Sequence, residues 1–123
     1  MASGSLFNKA YAKEVDLVKL YAYVDIGGTG APTLNTAKSK GIASIVRNGA
    51  GDYTITLSDV YNAHMFTNLM LLDATSRDLT FQLLAADASA KTIQFVVHAA
   101  ASATDPTSGD VVLAEITMKR SSV

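Results

Sequence analysis

No cysteine and no tryptophan occur among the 123 residues, and proline and histidine occur only twice each. The missing cysteine excludes disulfides, thiolate nucleophiles and cysteine-ligated metals, and leaves the redox compartment open. Charge is scarce as well: Asp, Glu, Lys and Arg make up 17% of the chain and apolar residues 49%, where about a quarter charged is usual. A chain of this length forms one domain with a real core and is too short for a bilobal enzyme. A surface so poor in charge points to area buried against partners.

Long apolar runs are also missing. No stretch reaches the roughly 20 residues of a membrane span, and the opening "MASGSLFNKAYAKE" lacks the apolar core of a signal peptide. The sequence therefore predicts a soluble protein made in the cytoplasm, with no membrane partner. Net charge is −1, but it is divided unevenly. Residues 1–47 hold six basic and three acidic side chains, and residues 48–123 hold four and eight. The basic residues Lys9, Lys13, Lys19, Lys38, Lys40 and Arg47 are scattered, without the stripe a nucleic-acid binder needs. Attraction between copies is the simpler use of this asymmetry.

What is present is alternation. Period-two patterns dominate and no segment sustains the spacing of a long amphipathic helix, so the class is all-β. In "LVKLYAYVDI" Val18, Leu20, Ala22, Val24 and Ile26 share one face, and Lys19, Tyr21, Tyr23 and Asp25 share the other, which is only half polar. A Gly/Pro/Thr/Asn loop over 27–39 leads to "GIASIVR", and "NGAG" joins that run to "DYTITL" as a hairpin. If residues 48–51 all form its loop, Val46 faces Tyr53 and Ile42 faces Leu57. "SDVYNAH" offers Ser58 and Asp59 as N-caps for one helical turn. Four more strands follow, "FTNLMLLDA", "DLTFQLLAA", "KTIQFVVHAAA" and "DVVLAEITMKR", with connections short enough for an antiparallel meander.

The rows Leu79/Phe81/Leu83/Ala85, Ile93/Phe95/Val97/Ala99 and Val112/Ala114/Ile116/Met118 predict the core. Around Leu69–Leu72 the apolar residues are continuous, which fits a central strand or one at a subunit interface. The expected fold is a compact antiparallel β-sandwich or small barrel of about seven strands. Residues 16–123 form this single domain and residues 1–15 an N-terminal arm, whose Leu6, Phe7, Tyr11 and Val15 call for burial on the domain or on a neighbour.

The chemistry-bearing residues do not converge. "DIGGTG", Asp25 to Gly30, is similar to the first phosphate motif of sugar kinases in the actin-like ATPase group, but no helix start follows to aim amides at an anion. His64 and His98 stand apart without a carboxylate at ligand spacing. Most aspartates sit at strand ends, where they serve turns. Glu115 is mid-strand on the face opposite Ala114 and Ile116, so it points to solvent or into an interface ion pair. The five tyrosines lack the Lys/Arg of a nucleic-acid stacking platform, and no nucleophile elbow exists. No enzyme, cofactor or metal is expected.

"IGGTGAPTL", "KGIASIVRNGAGDYTITLSDVYN" and the last strand "DPTSGDVVLAEITMKRSSV" together resemble small structural proteins of tailed bacteriophage particles, most of all the capsid decoration, or cement, proteins. That resemblance implies an oligomer, a homotrimer by expectation, bound to the major capsid protein on the outer surface of the virion and bridging neighbouring subunits. A head-fibre base or a tail or tube component is the alternative, and a host- or glycan-binding sandwich another. The implied contact residues are Ser5, Leu6, Phe7, Asn8, Lys9, Tyr11 and Lys13 of the arm. The loop carrying Gly27, Gly28, Thr29, Gly30, Pro32, Lys38 and Lys40 is expected to meet a neighbouring subunit.

Overall fold

Alternation in Leu17–Ile26 makes β1 with the bounds its pattern predicts: Leu20, Ala22, Val24 and Ile26 are buried, and Leu17, Lys19, Tyr21 and Asp25 are exposed. The computed structural model describes residues 17–120. The arm residues Ser5, Leu6, Phe7, Asn8, Lys9, Tyr11 and Lys13 lie outside the described residues. After β1 come β2 (Pro32–Leu34), β3 (Ile42–Gly49), β4 (Asp52–Leu57), β5 (Ala63–Leu72), β6 (Thr80–Asp87), β7 (Thr92–Ala99), β8 (Ser102–Ala103) and β9 (Val111–Lys119). They form two antiparallel sheets, β2-β1-β9-β5 and β3-β4-β7-β6, with β8 pairing the end of β7.

The fold is thus all-β as the sequence predicts, a two-sheet sandwich rather than the alternative small barrel, with two short strands added to the expected seven. Inward side chains of the two sheets meet in one core, from Leu20, Val24, Val112, Ile116 and Met118 on one side and Tyr53, Ile55, Leu57, Ile93, Phe95 and Val97 on the other. Tyr53 and Phe95 face each other on neighbouring strands, stacked with centroids 5.5 Å apart. Burying each large apolar side chain contributes roughly 1.5–3 kcal/mol, so this layer holds the sheets together.

Several expectations are corrected. Of the four strands expected to form a meander, β5, β6, β7 and β9, only β6 and β7 are neighbours: β5 pairs β9 rather than β6, and β9 lies between β1 and β5. Short connections permit adjacent strands, but here they also cross between layers, at 35–41, 58–62, 73–79 and 104–110. The strand holding Leu69–Leu72 is not central but forms the edge of its sheet. In the β3–β4 hairpin Ala50 and Gly51 make the turn. A bulge between Arg47 and Gly49 moves Val46 opposite Thr54 and leaves Arg47 opposite Tyr53, whereas Ile42 does face Leu57. Residues 58–62 form no helical turn, since Ser58 donates its N–H to the Gly41 carbonyl and Asn62 to that of Lys119. A bulge between Leu83 and Ala85 breaks the row that Leu79 and Phe81 begin, and Ala85 is exposed.

Candidate interaction surface

The outward faces of the two sheets differ in chemistry, and β9 is the reason. Across the first sheet it places Tyr23, Leu113 and Met70 side by side, then Tyr21, Glu115 and Asn68, then Lys19, Thr117 and Phe66, then Asp25, Val111 and Leu72. Tyr21, Phe66, Met70 and Leu72 are 45%, 57%, 53% and 50% exposed, so this is an apolar surface open to solvent. A shallow cavity of ≈ 380 Å³ lies at its centre, between Tyr21, Tyr23, Lys38, Met70 and Leu113.

Polar groups on this face are few, and two lysines engage their neighbours. The Lys38 ammonium sits 4.5 Å from the Tyr23 ring centroid, a cation–π contact. Lys19 Nζ donates to Thr117 Oγ1 at 3.0 Å and stands 4.0 Å from Glu115 Oε2. Both members of that ion pair are well exposed, so it orients Glu115 more than it stabilises the fold. Glu115 therefore projects outward as its strand position predicts, inside an otherwise apolar row.

The outer face of the second sheet is polar. Its cross-strand rows are Val46, Thr54, Gln94 and Ala85, then Ser44, Thr56, Thr92 and Asp87. Asn48 Nδ2 donates to Thr54 Oγ1 and Asp52 Oδ1, and Gln94 Nε2 donates to the same Asp52 carboxylate. Exposed large apolar side chains there are Val46 and, at the β6 bulge, Leu84.

One end of the sandwich gathers the ionic side chains, and it explains the glycine loop. Asp105 accepts from Arg47 Nε at 2.9 Å and Arg47 Nη2 at 2.8 Å, from the Gly51 N–H at 2.8 Å and from the Tyr53 hydroxyl at 3.3 Å. That hydroxyl also donates to the Gly30 carbonyl at 2.7 Å. The Arg47 bonds hold the Asp105 carboxyl below its usual range, and burial, followed by the Asp105 charge, pushes Tyr53 up to about 12. Gly30 has φ +75°, and a Cβ there would lie 2.6 Å from Asp105 Oδ1. Glycine is required at this position by close approach and by backbone conformation together. The loop Gly27–Ala31 closes on itself, the Gly27 N–H donating to the Ala31 carbonyl.

Beside this knot, Arg77 Nη1 bridges Asp73 and Asp110, and its Nη2 donates to Thr107. Asp110 is only 3% exposed. Burial, and then the neighbouring Asp73, raise its pKa, while the Thr75 N–H, then Asp110 and Arg77, lower that of Asp73. These bonds pin the crossing loops 73–79 and 104–110 to each other. Burial likewise lowers the pKa of His64, whose Nε2 lies 2.6 Å from Thr67 Oγ1.

Of the loop residues expected at a subunit contact, Gly28, Thr29, Lys38 and Lys40 are exposed, Gly27 and Pro32 half-buried and Gly30 buried. The Lys40 backbone pairs with Tyr21, and Asn35 donates to the Tyr23 carbonyl, so the loop covers the free edge of β1. Sequence reasoning missed Phe66, Met70, Leu72, Val111 and Leu113 as surface residues. Its signals were the half-polar Tyr21/Tyr23 face and the unbroken apolar run around Leu69–Leu72.

Among the described residues no group of three or more His, Asp or Glu side chains could hold a metal ion, and no helix is long and apolar enough to cross a membrane. Fold and surface together define an all-β sandwich with one apolar outer face. No protein-family model, no curated protein and no solved structure matches the chain.

Proposed function

We propose that the chain is a structural binding protein that works by burying the outer face of its four-stranded sheet against a protein surface. Its specific role is that of a decoration protein on a tailed-phage shell. The exposed side chains of Tyr21, Phe66, Met70 and Leu72, set around the half-buried Tyr23 and Leu113 on the outer face, are the observation that supports this reading. Contiguous exposed apolar area of this kind marks interaction sites, and aromatic and Met side chains are enriched at their centres. Resemblance to decoration proteins supplies the partner, the major capsid protein, and adds the arm residues Ser5, Leu6, Phe7, Asn8, Lys9, Tyr11 and Lys13 as a second contact. Many copies on a symmetric shell gain avidity, so a modest contact at each copy suffices.

Co-sedimentation with assembled major-capsid shells tests this role. Leu113→Glu is expected to remove the chain from the pelleted shells, while Gln94→Glu on the opposite face pellets with them as the unaltered chain does. Equal pelleting of both variants contradicts the reading.

A further inference from the structure

The four sheet edges are not equally protected. β2 is three residues long and begins with Pro32, β3 carries two bulges and Arg47, and β6 carries a bulge and ends in Asp87. These are the devices by which natural proteins keep edges from pairing. β5 is the exception: ten residues, AHMFTNLMLL, with no Lys, Arg, Asp, Glu or Pro. Its single bulge lies near its start, between His64 and Phe66, and the seven residues from Phe66 to Leu72 pair regularly with β9. Among the described residues no backbone hydrogen bond reaches its other edge.

We infer that the occupant of this edge is β5 of a second copy, paired antiparallel across a twofold axis. An antiparallel strand pair is its own symmetry mate, so one uncharged strand serves both sides of such a contact. Centring the axis on Leu69 sets Phe66 opposite Leu72 and Asn68 opposite Met70 on the outer face, and Thr67 opposite Leu71 on the inner. No like charges meet, because the strand has none. With the axis on Leu69 the paired stretch of seven residues, Phe66 to Leu72, is about 24 Å long and a sheet wall about 10 Å high. Adding the eight-residue wall of β6 behind it gives about 500 Å² per copy. That lies just below the range for stable interfaces, about 600–1,000 Å² per partner, so the dimer is concentration-dependent. The two four-stranded sheets become one sheet of eight strands, and their apolar outer faces merge into a single surface. This contact concerns the free protein and stands whether or not the partner proposed above is the right one.

The experiment is the mass of the full chain by size exclusion with light scattering, using opposite charges at one exposed edge position. Axes centred on Asn68 or Leu69 both put the two residue-68 side chains within about 8 Å of each other. The unaltered chain is expected to run as a dimer. Asn68→Lys alone and Asn68→Glu alone are each expected to dissociate at least tenfold more readily, and an equimolar mixture of the two to recover a one-to-one dimer. A monomer at every concentration overturns the proposal, as does unchanged mass in both single variants. A trimer, the state implied by the resemblance to decoration proteins, overturns it too, since a threefold ring has no twofold at β5. Protection from hydrogen exchange that survives dilution to monomer at those β5 amides that point away from β9 also overturns it, by assigning the edge to the same chain.

Discussion

The two outward sheet faces come from the same chain and the same alternating pattern, yet one is dressed for water and the other is not. On the second sheet Thr54, Thr56, Asp52, Thr92 and Gln94 stand in cross-strand rows, and side-chain hydrogen bonds from Asn48 and Gln94 tie Thr54 and Asp52 together. On the first sheet the corresponding positions hold Tyr23, Leu113, Met70, Val111 and Leu72. An antiparallel sheet with one face on the core is expected to look like the second. The difference separates two tasks. Stability resides in the core and in the ionic end of the sandwich, whereas the apolar outer face adds little to the fold of one chain and remains available for binding.

That separation can be broken from either side. The largest effect is expected from Asp105→Ala, which strips the Gly51 N–H and the Arg47 guanidinium of their shared acceptor. Urea unfolding should show a loss of about 3 kcal/mol, with shell binding intact in the folded fraction. Leu113→Glu should do the reverse, weakening binding by about 2 kcal/mol, or roughly thirtyfold, while its unfolding curve overlays that of the unaltered chain. Tyr53→Phe removes only the hydroxyl that holds Gly30, and unfolding should register about 1.5 kcal/mol. Thr54→Val on the polar face should change stability by no more than about 0.5 kcal/mol and leave binding untouched.

Acid offers a further division. Arg47 holds the folded-state pKa of Asp105 below its unfolded value of about 3.9. A depressed carboxyl contributes stability that is fully present above the unfolded pKa and lost as pH falls through the folded one. Unfolding measured below about pH 4 should therefore show a steepening loss of stability that is weaker in Asp105→Asn. Asp110 acts with the opposite sign: its raised pKa means that protonation on acidification favours the folded state.

Much of the fold was legible because period-two patterning reports directly which residues face inward. The bounds of β1 and the rows Ile93/Phe95/Val97 and Val112/Ala114/Ile116/Met118 follow from it, whereas Ile42 faces Leu57 only because two bulges in β3 offset the two-residue turn. Which strands become neighbours did not follow, because alternation carries no information about crossings between layers. β5 therefore read as central or at a subunit interface, and β9 was not seen between β1 and β5. The candidate surface was visible only in halves, as the Tyr21/Tyr23 face and the Leu69–Leu72 run, since Leu113 joins them through pairings distant in sequence. Gly30 makes the same point. Its local motif is similar to a phosphate loop, but its requirement for glycine is set by Asp105, far along the chain.

The most direct measurement is hydroxyl-radical footprinting of the full chain, free and bound to assembled major-capsid shells, read at side chains on the two outer faces. Tyr21 and Met70 mark the apolar face and His98, opposite Thr80, marks the polar one. Binding is expected to protect Tyr21 and Met70 and to leave His98 as reactive as before. Protection of His98 with Tyr21 and Met70 unchanged would contradict it.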